Sequence, residues 1–422
     1  MSNQDTQKLV EQLPDEPTEH FCIAPFQSIR QNPHGKNSPC AFGAGEWNHR
    51  NLNTVERWHA DEVNDLRKEF IAGKRPKACH RCWAEEDAGK QSLRQRQYEY
   101  FPDDYQDFVK SGRWVHGPKT AVFKTSNICN LACRSCGGWD TNTYMKEGMH
   151  YADEYDTKIK HPTTGKMVHW NRFIPIQTPK HIDFMDYVKI ADNLEKIDFF
   201  GGEPLLNTTQ LPFLEYLADT GKSKNTTLFY STNGTNLPTD RLKRAWSKFK
   251  RVELSISCDG IDEEFEYLRY PGKFDVLQNT IRDLKSFQSN TDNDIYMMAG
   301  LTISNMNVLT ADRTREWLES NIGDVYITMV QSPDYQSISR APEYVKSHIK
   351  STVKMSDILG YVNVDQTNID AWRQFIIWMK RQDKYRQQSF DKTFPDMYNL
   401  IQDDWHMIND LSEQNFNKKE QT

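Results

Sequence analysis

The sequence predicts an α/β chain centred on a partial (β/α)6 barrel, with a cysteine-bearing module before it and a helical extension after it. Three observations carry this. From about residue 119 to 340, strand-like and helix-like segments alternate, the pattern of parallel βα units. Six such units are present, where a closed barrel of this kind has eight. Polar or glycine-rich residues stand just past the C-terminal end of each strand, the face on which βα barrels build their sites; the first of these ends carries Cys129, Cys133 and Cys136.

The barrel elements follow in order. Strand one, 120–126, leads into the cysteines, and a helix of about Trp139 to Met149 comes next. Residues 150–183 are polar, with Pro162, Gly165, Pro175 and Pro179, and are expected as an insertion. Strand two, about 196–200, ends in Gly201-Gly202-Glu203-Pro204. Asn207 or Thr208 caps a helix with Leu211, Leu214 and Leu217 on one face, ending at Gly221. Strand three, 226–231, ends at Ser231-Thr232-Asn233-Gly234; Thr239 caps the next helix, where Leu242, Ala245, Trp246 and Phe249 fall at helical spacing. Strand four, 251–257, ends at Cys258-Asp259-Gly260. Its Val252, Leu254 and Ile256 alternate with Glu253, Ser255 and Ser257, so an outward apolar set leaves the polar set facing the lumen. Strand five, about 295–303, ends at Ser304-Asn305; a helix near 310–320 precedes strand six, 324–330, which ends at Gln331-Ser332-Pro333.

The 422 residues suffice for two or three domains, or for one barrel with attachments. A 37% hydrophobic content supports a packed core, while a net charge of -6 without basic runs argues against a nucleic-acid surface. No apolar stretch approaches the roughly 20 residues that span a bilayer. The N-terminus is polar and acidic, unlike a signal peptide. Residues 1–18, with Pro14 and Pro17, are expected as a disordered leader. A cytoplasmic setting follows, in which the eight cysteines are reduced and available to metal.

Residues 19–96 form the cysteine-bearing module. The turn signal Asn32-Pro33-His34-Gly35 suggests a hairpin that brings Cys22 near Cys40. A helix from about Thr54 to Ala72 follows, with Val55, Trp58, Val63, Leu66 and Phe70 at helical spacing and Gly73 and Pro76 to stop it. Cys79 and Cys82 complete a four-sulfur set, compatible with a structural zinc or with a fully ligated iron–sulfur cluster; His80 between them is read as a spectator. Residues 97–118 are aromatic and irregular, a linker packed on the barrel. From 341 to 422 the chain turns helical, Tyr344 to Ile358 and Asn368 to Lys384, with Trp372, Phe375, Ile376 and Met379 as a packing stripe and a loose polar end.

Three thiolates on one tight loop hold three irons of a cubane cluster and leave the fourth iron without a protein ligand. The Cys129, Cys133, Cys136 triplet after a strand, with Gly201-Gly202-Glu203-Pro204 at the end of the next one, resembles the radical S-adenosylmethionine (SAM) superfamily. The resemblance implies a SAM-binding 4Fe-4S cluster on Cys129, Cys133 and Cys136, and reductive cleavage of SAM to methionine and a 5′-deoxyadenosyl radical that abstracts hydrogen. It places Gly201, Gly202, Glu203 and Pro204 at the methionine end, with Glu203 accepting from the SAM ammonium. It places Ser231, Asn233, Ser257, Asp259 and Asn305 where family members hold ribose and carboxylate. Ser135 departs from the family, in which an aromatic or bulky residue precedes the third cysteine, so adenine stacks elsewhere or the pocket is looser.

The N-terminal module is similar to twitch/SPASM auxiliary-cluster modules in its Cys-x-x-Pro-Phe, the Cys40 turn, Arg67 ahead of Gly73, and Cys-x-x-Cys followed by Glu86, Gly89 and Ser92. That implies an auxiliary 4Fe-4S cluster on Cys22, Cys40, Cys79 and Cys82, with zinc as the alternative, and a reductant such as flavodoxin or ferredoxin. Cys258, outside both sets, is expected as a buried thiol, with a part in the radical chemistry as the alternative, since it lies at a strand end on the active face. Such modules point to a peptide or protein substrate; a small metabolite, nucleotide or sugar is the alternative within the family, and a zinc-stabilised binding module the alternative outside it.

Overall fold

The computed structural model describes the chain except for residues 1–2, 33–34, 41–46, 50, 88, 90, 101–102, 137–140, 145–146, 149, 151–157, 161–166, 170–181, 365 and 420–422; at 3–5, 99–100, 158–160, 167–169 and 409–419 side chains are not described. The strands are β1 (Ser28–Gln31), β2 (Lys36–Ser38), β3 (Trp47–Asn48), β4 (Thr120–Lys124), β5 (Lys158–Lys160), β6 (Met167–His169), β7 (Lys196–Phe200), β8 (Thr227–Thr232), β9 (Arg251–Ser257), β10 (Asp294–Ile303) and β11 (Val325–Met329). Nine of them form one sheet in the order β11-β10-β9-β8-β7-β4-β1-β2-β3.

The run β4, β7, β8, β9, β10, β11 is parallel throughout, the six expected barrel strands. Alternation explains their seating. Val252, Leu254 and Ile256 are fully buried. Between them Glu253 faces inward, where Lys196 lies 3.6 Å from it and 4.0 Å from Asp198, so the lumen below the site is polar. The helix Leu211–Asp219 buries Leu211, Phe213, Leu214 and Leu217. Thr239 caps Asp240–Trp246, its hydroxyl accepting from Leu242 N–H at 3.2 Å. Asn207 caps a short 3-10 turn instead of the helix itself. Two helices between β9 and β10, Asp262–Leu268 and Phe274–Ser289, were not expected, although Phe274, Leu277, Ile281 and Leu284 carry the helical period.

The N-terminal segment joins the same sheet. β1 pairs in parallel with β4, Ser28 opposite Thr120, and in antiparallel with β2, the expected hairpin. Asn32 N–H donates to Lys36 O at 3.0 Å; residues 33 and 34 between them lie outside the described residues.

Four expectations need correction. The expected leader 1–18 is not loose over its described residues 3–18: Asn3–Val10 is a helix, Leu9 and Leu13 are buried, and Tyr105 Oη and Lys110 Nζ donate to Pro14 O and Leu13 O. Two buried leucines supply what a polar composition hid. The helix expected over 54–72 breaks at His59-Ala60 into Thr54–Trp58 and Asp61–Ile71, and Val55 is exposed. The linker is not irregular: the helix Leu93–Tyr100 leads to turns at Tyr105–Lys110 and Arg113–His116, and Phe108, Val109 and Trp114 are fully buried. Tyr344 to Ile358 divides into Glu343–Thr352 and Ser356–Val362. The insertion 150–183 lies largely outside the described residues, apart from the hairpin of β5 and β6; of the expected helix Trp139 to Met149, residues 142–144 and 147–148 are described and helical. The stripe Trp372, Phe375, Ile376 and Met379 is buried in the helix Ile369–Arg386, as expected.

Candidate functional site

β4 and β7 deliver two loops to the same end of the sheet, and the loops interlock. Glu203 N–H donates to Ile128 O at 2.8 Å. Gly201 and Gly202 take φ of +81° and +52°, and a Cβ on Gly202 would lie 2.3 Å from Ile128 O. The glycines therefore permit close contact with the cysteine loop itself.

A cavity of about 430 Å³ opens here. Cys129, Cys133 and Cys136 line it together with Gly201, Gly202, Ser231, Asn233 and Ser257. Leu131 N–H and Asn233 Nδ2–H donate to Cys129 Sγ at 3.4 and 3.7 Å, and the Arg269 guanidinium stands 4.0 Å from Cys133 Sγ. Burial pushes the Cys129 thiol up to about 11; the hydrogen bond from Cys136 and then Arg269 hold Cys133 below the usual thiol range. N–H donors and a guanidinium facing the sulfurs fit residues that carry a cluster as thiolates.

Three expected site residues turn away from this cavity. Glu203 is fully buried, and its carboxylate accepts from Leu205 N–H (3.0 Å), Thr232 Oγ1–H (2.9 Å) and Asn233 N–H (2.7 Å). Desolvation raises it to about 7. These bonds tie the glycine loop to the end of β8. Asp259 pairs with Arg269 Nη2 at 2.8 Å and accepts from Thr302 N–H at 2.9 Å, which presents Arg269 to the cavity. Asn305 is fully buried and donates to Tyr335 O and Ser337 O. Pro204 is buried and begins a 3-10 turn. Cys258 is fully buried, its thiol donating to Gly260 O and pushed up to about 12 by burial, as expected of a plain core thiol.

Other residues supply the wall: Thr232, Arg269, Thr302 and the run Thr328 to Ser332. The register that sets Thr302 opposite Thr328 explains part of this, since lumen-facing strand residues reach the cavity as well as those beyond the strand ends. Arg269 follows a helix and carries no sequence signal of its own.

The second cysteine set is also brought together. Cys22, Cys40, Cys79 and Cys82 line one cavity of about 260 Å³, with Phe70, Ala78 and Leu93. Burial, then mutual repulsion, raises Cys79 to about 12 and pushes the Cys22 thiol well up. Arg67, Glu86 and Ser92, flanking these cysteines, each have a visible task. Arg67, fully buried between Trp58 and Trp114, donates to Pro25 O at 2.9 Å and so fixes the loop after Cys22. Glu86 accepts from Ser92 Oγ–H at 2.5 Å and from Arg94 at 2.7 and 2.9 Å, while Arg94 reaches Phe21 O. Exposed His80 also borders the cavity. Among the described residues, no group of three or more His, Cys, Asp or Glu is arranged to hold a single metal ion. None of the described helices is long and apolar enough to cross a membrane.

Residues 123–310, just under half of the chain, match the family model for the radical SAM superfamily. Among curated proteins no match is found. Among solved structures, the chain is similar to histidine-tagged anSMEcpe with bound AdoMet, at 15% identity and a TM-score of 0.37, over 57% of this chain and 61% of that one. It is similar to Streptococcus suis SuiB bound to precursor peptide SuiA, at 12% identity and a TM-score of 0.34, over 87% and 73%. It is similar to TYW1 with a lysine-pyruvate adduct, at 13% identity and a TM-score of 0.27, over 54% and 71%. The match thus spans about three fifths of the length of the first of these structures.

Proposed function

We propose that the chain is a radical SAM enzyme that modifies a peptide or protein. The observation that carries this reading is the convergence of Cys129, Cys133 and Cys136 on one cavity with Gly201 and Gly202, at the C-terminal ends of parallel strands. When bound there, a 4Fe-4S cluster and SAM would supply the reductive cleavage that yields a 5′-deoxyadenosyl radical. This chain's own residues position the partners. Cys129, Cys133 and Cys136 would hold the cluster, and Asn233 and Arg269 direct donors at the Cys129 and Cys133 thiol sulfurs. The exposed backbone of Gly201 and Gly202 and the hydroxyls of Ser231 and Ser257 offer polar groups to SAM. Small Ser135 leaves Met329 and Val330 as the apolar wall for a base.

The N-terminal sulfurs hold an auxiliary cluster in this reading. Zinc draws four sulfurs to within about 2.3 Å of one point, whereas these four line one cavity without any three of them being arranged around a single ion. The peptide or protein substrate rests on the likeness of this segment to twitch/SPASM modules. A flavodoxin- or ferredoxin-type reductant and a cytoplasmic setting, where thiols stay reduced, belong to the same reading.

The test is anaerobic reconstitution followed by dithionite and SAM. We expect about eight irons per chain, little zinc, and 5′-deoxyadenosine. Cys133→Ala abolishes the nucleoside, while Cys79→Ala loses about four irons and retains uncoupled SAM cleavage. Two zinc ions per chain with no cleavage would overturn the proposal.

A further inference from the structure

The helix Ile369–Arg386 was expected only to pack on the barrel. Its last turn does more. Arg134, between ligands Cys133 and Cys136, has a fully buried side chain that leaves the loop and enters the C-terminal extension. Its Nη2 donates to Asp383 Oδ1 at 2.7 Å and to Gln388 Oε1 at 3.1 Å; its Nη1 donates to Gln382 Oε1 at 3.1 Å. Its Nε donates to Tyr267 O at 3.1 Å, and the guanidinium lies 3.6 Å from the centre of the Tyr267 ring. Tyr267 Oη donates to the same Asp383 oxygen at 2.7 Å.

A second pair mirrors the first. Arg386 and Glu147, 0% and 2% exposed, meet at 2.7 Å, and Arg386 Nη2 also donates to Ala132 O at 2.8 Å. The backbone is held as well. Ala132 N–H donates to Tyr270 O at 2.6 Å, Arg134 N–H to Leu268 O at 2.8 Å, and Gln336 Nε2 donates to Arg134 O at 2.6 Å. The loop between Leu131 and Ser135 is thus gripped from both sides by groups that themselves hold no metal.

We infer that the helix Ile369–Arg386 is a built-in scaffold of the three-cysteine loop: the buried pairs Arg134–Asp383 and Arg386–Glu147 fix the loop before iron arrives, so that the site is ordered in the metal-free chain. This rests on the reading that Cys129, Cys133 and Cys136 hold a cluster. The physical basis is that a buried ion pair with further hydrogen bonds specifies one geometry, and removing one partner strands the other. Arg134, Asp383 and Arg386 are positioning residues; they act through the loop.

The test compares metal-free wild type with Asp383→Asn by hydrogen exchange at residues 132–134, then loads both with iron. Asp104→Asn is the control, since it breaks another buried pair, with Lys119, away from the loop. We expect the wild-type amides to be protected without metal. Exchange rises about tenfold or more in Asp383→Asn. That variant also loses the iron whose electron paramagnetic resonance signal responds to SAM, while the N-terminal cluster stays. Asp104→Asn behaves as wild type in both readouts, and Asp383→Glu restores the signal in part. Wild-type amides exchanging at free-peptide rates, or Asp383→Asn leaving both readouts unchanged, would overturn the scaffold. Should the loop be protected and sensitive to Asp383 yet take up no iron, the cluster reading fails and the scaffold stands.

Discussion

Arg81 donates through Nη2 to Gln331 Oε1 at 3.0 Å, joining residues 250 positions apart in the chain. Arg81 stands between Cys79 and Cys82 and borders their cavity; Gln331 borders the cavity of the other three cysteines. The sheet runs from β3 at one edge to β11 at the other, and Gln331 follows β11. This hydrogen bond therefore bridges the N-terminal module and the far rim of the barrel.

The bridge is exposed, so its net worth is about 1 kcal/mol. Arg81→Ala should leave the iron content unchanged and stability nearly so, while amide exchange over residues 328–332 rises. Gln331→Ala should do the same, and the double variant no more than either alone. Additive effects on exchange would show that the two side chains act separately.

How legible was this in the sequence? Cys129, Cys133 and Cys136 and the Gly201-Gly202 pair were legible because few residue types do what they do: thiolates bind soft metals, and only glycine lets one backbone press on another at positive φ. The strands were legible because alternation in β9 reports directly on two unlike faces. Glu203, Asp259 and Asn305 were less legible because a polar residue beyond a strand can serve a neighbouring loop as readily as a ligand. Which it does depends on donors elsewhere, such as Asn233 N–H and Arg269. The links from Arg134 to Asp383 and from Arg81 to Gln331 were invisible for the same reason: each depends on two distant segments meeting.

The N-terminal helix offers a second check. Leu9 is 3% exposed although the segment around it is mostly polar. Leu9→Ala should destabilise the protein by about 2–4 kcal/mol, read from the denaturation midpoint. An unchanged midpoint would return residues 1–18 to the status of a loose leader.

Asp198 gives a dependence on pH. Burial raises its carboxyl to about 6, Lys196 opposing and Glu253 adding to the shift. The folded chain therefore favours the protonated acid. The stability this group contributes is fully present below its unfolded value near 3.9 and is lost as pH rises through about 6. Asp198→Asn cannot ionise, so from pH 4 to 7.5 it should gain on wild type by on the order of 1–3 kcal/mol. Parallel stability profiles for the two proteins would show that Asp198 ionises freely in the fold.

The glycines before Glu203 are not equivalent, and their difference tests how the site is built. A Cβ on Gly201 would meet Lys124 Cγ at 2.4 Å, the stem of a flexible side chain that can swing aside, and Ser126 O at 3.1 Å. A Cβ on Gly202 would meet Ile128 O at 2.3 Å and Ile128 C at 2.9 Å, backbone that also accepts from Glu203 N–H. Relief at Gly202 must therefore displace the residue before Cys129. Gly202→Ala should lose most iron at the three-cysteine site while Gly201→Ala keeps much of it, with the N-terminal cluster intact in both. Both backbones sit at positive φ, so each variant also carries about 1 kcal/mol of strain, which cancels in the comparison. Equal iron loss would mean that left-handed backbone strain, and not the approach of Gly202 to Ile128, is what these glycines relieve.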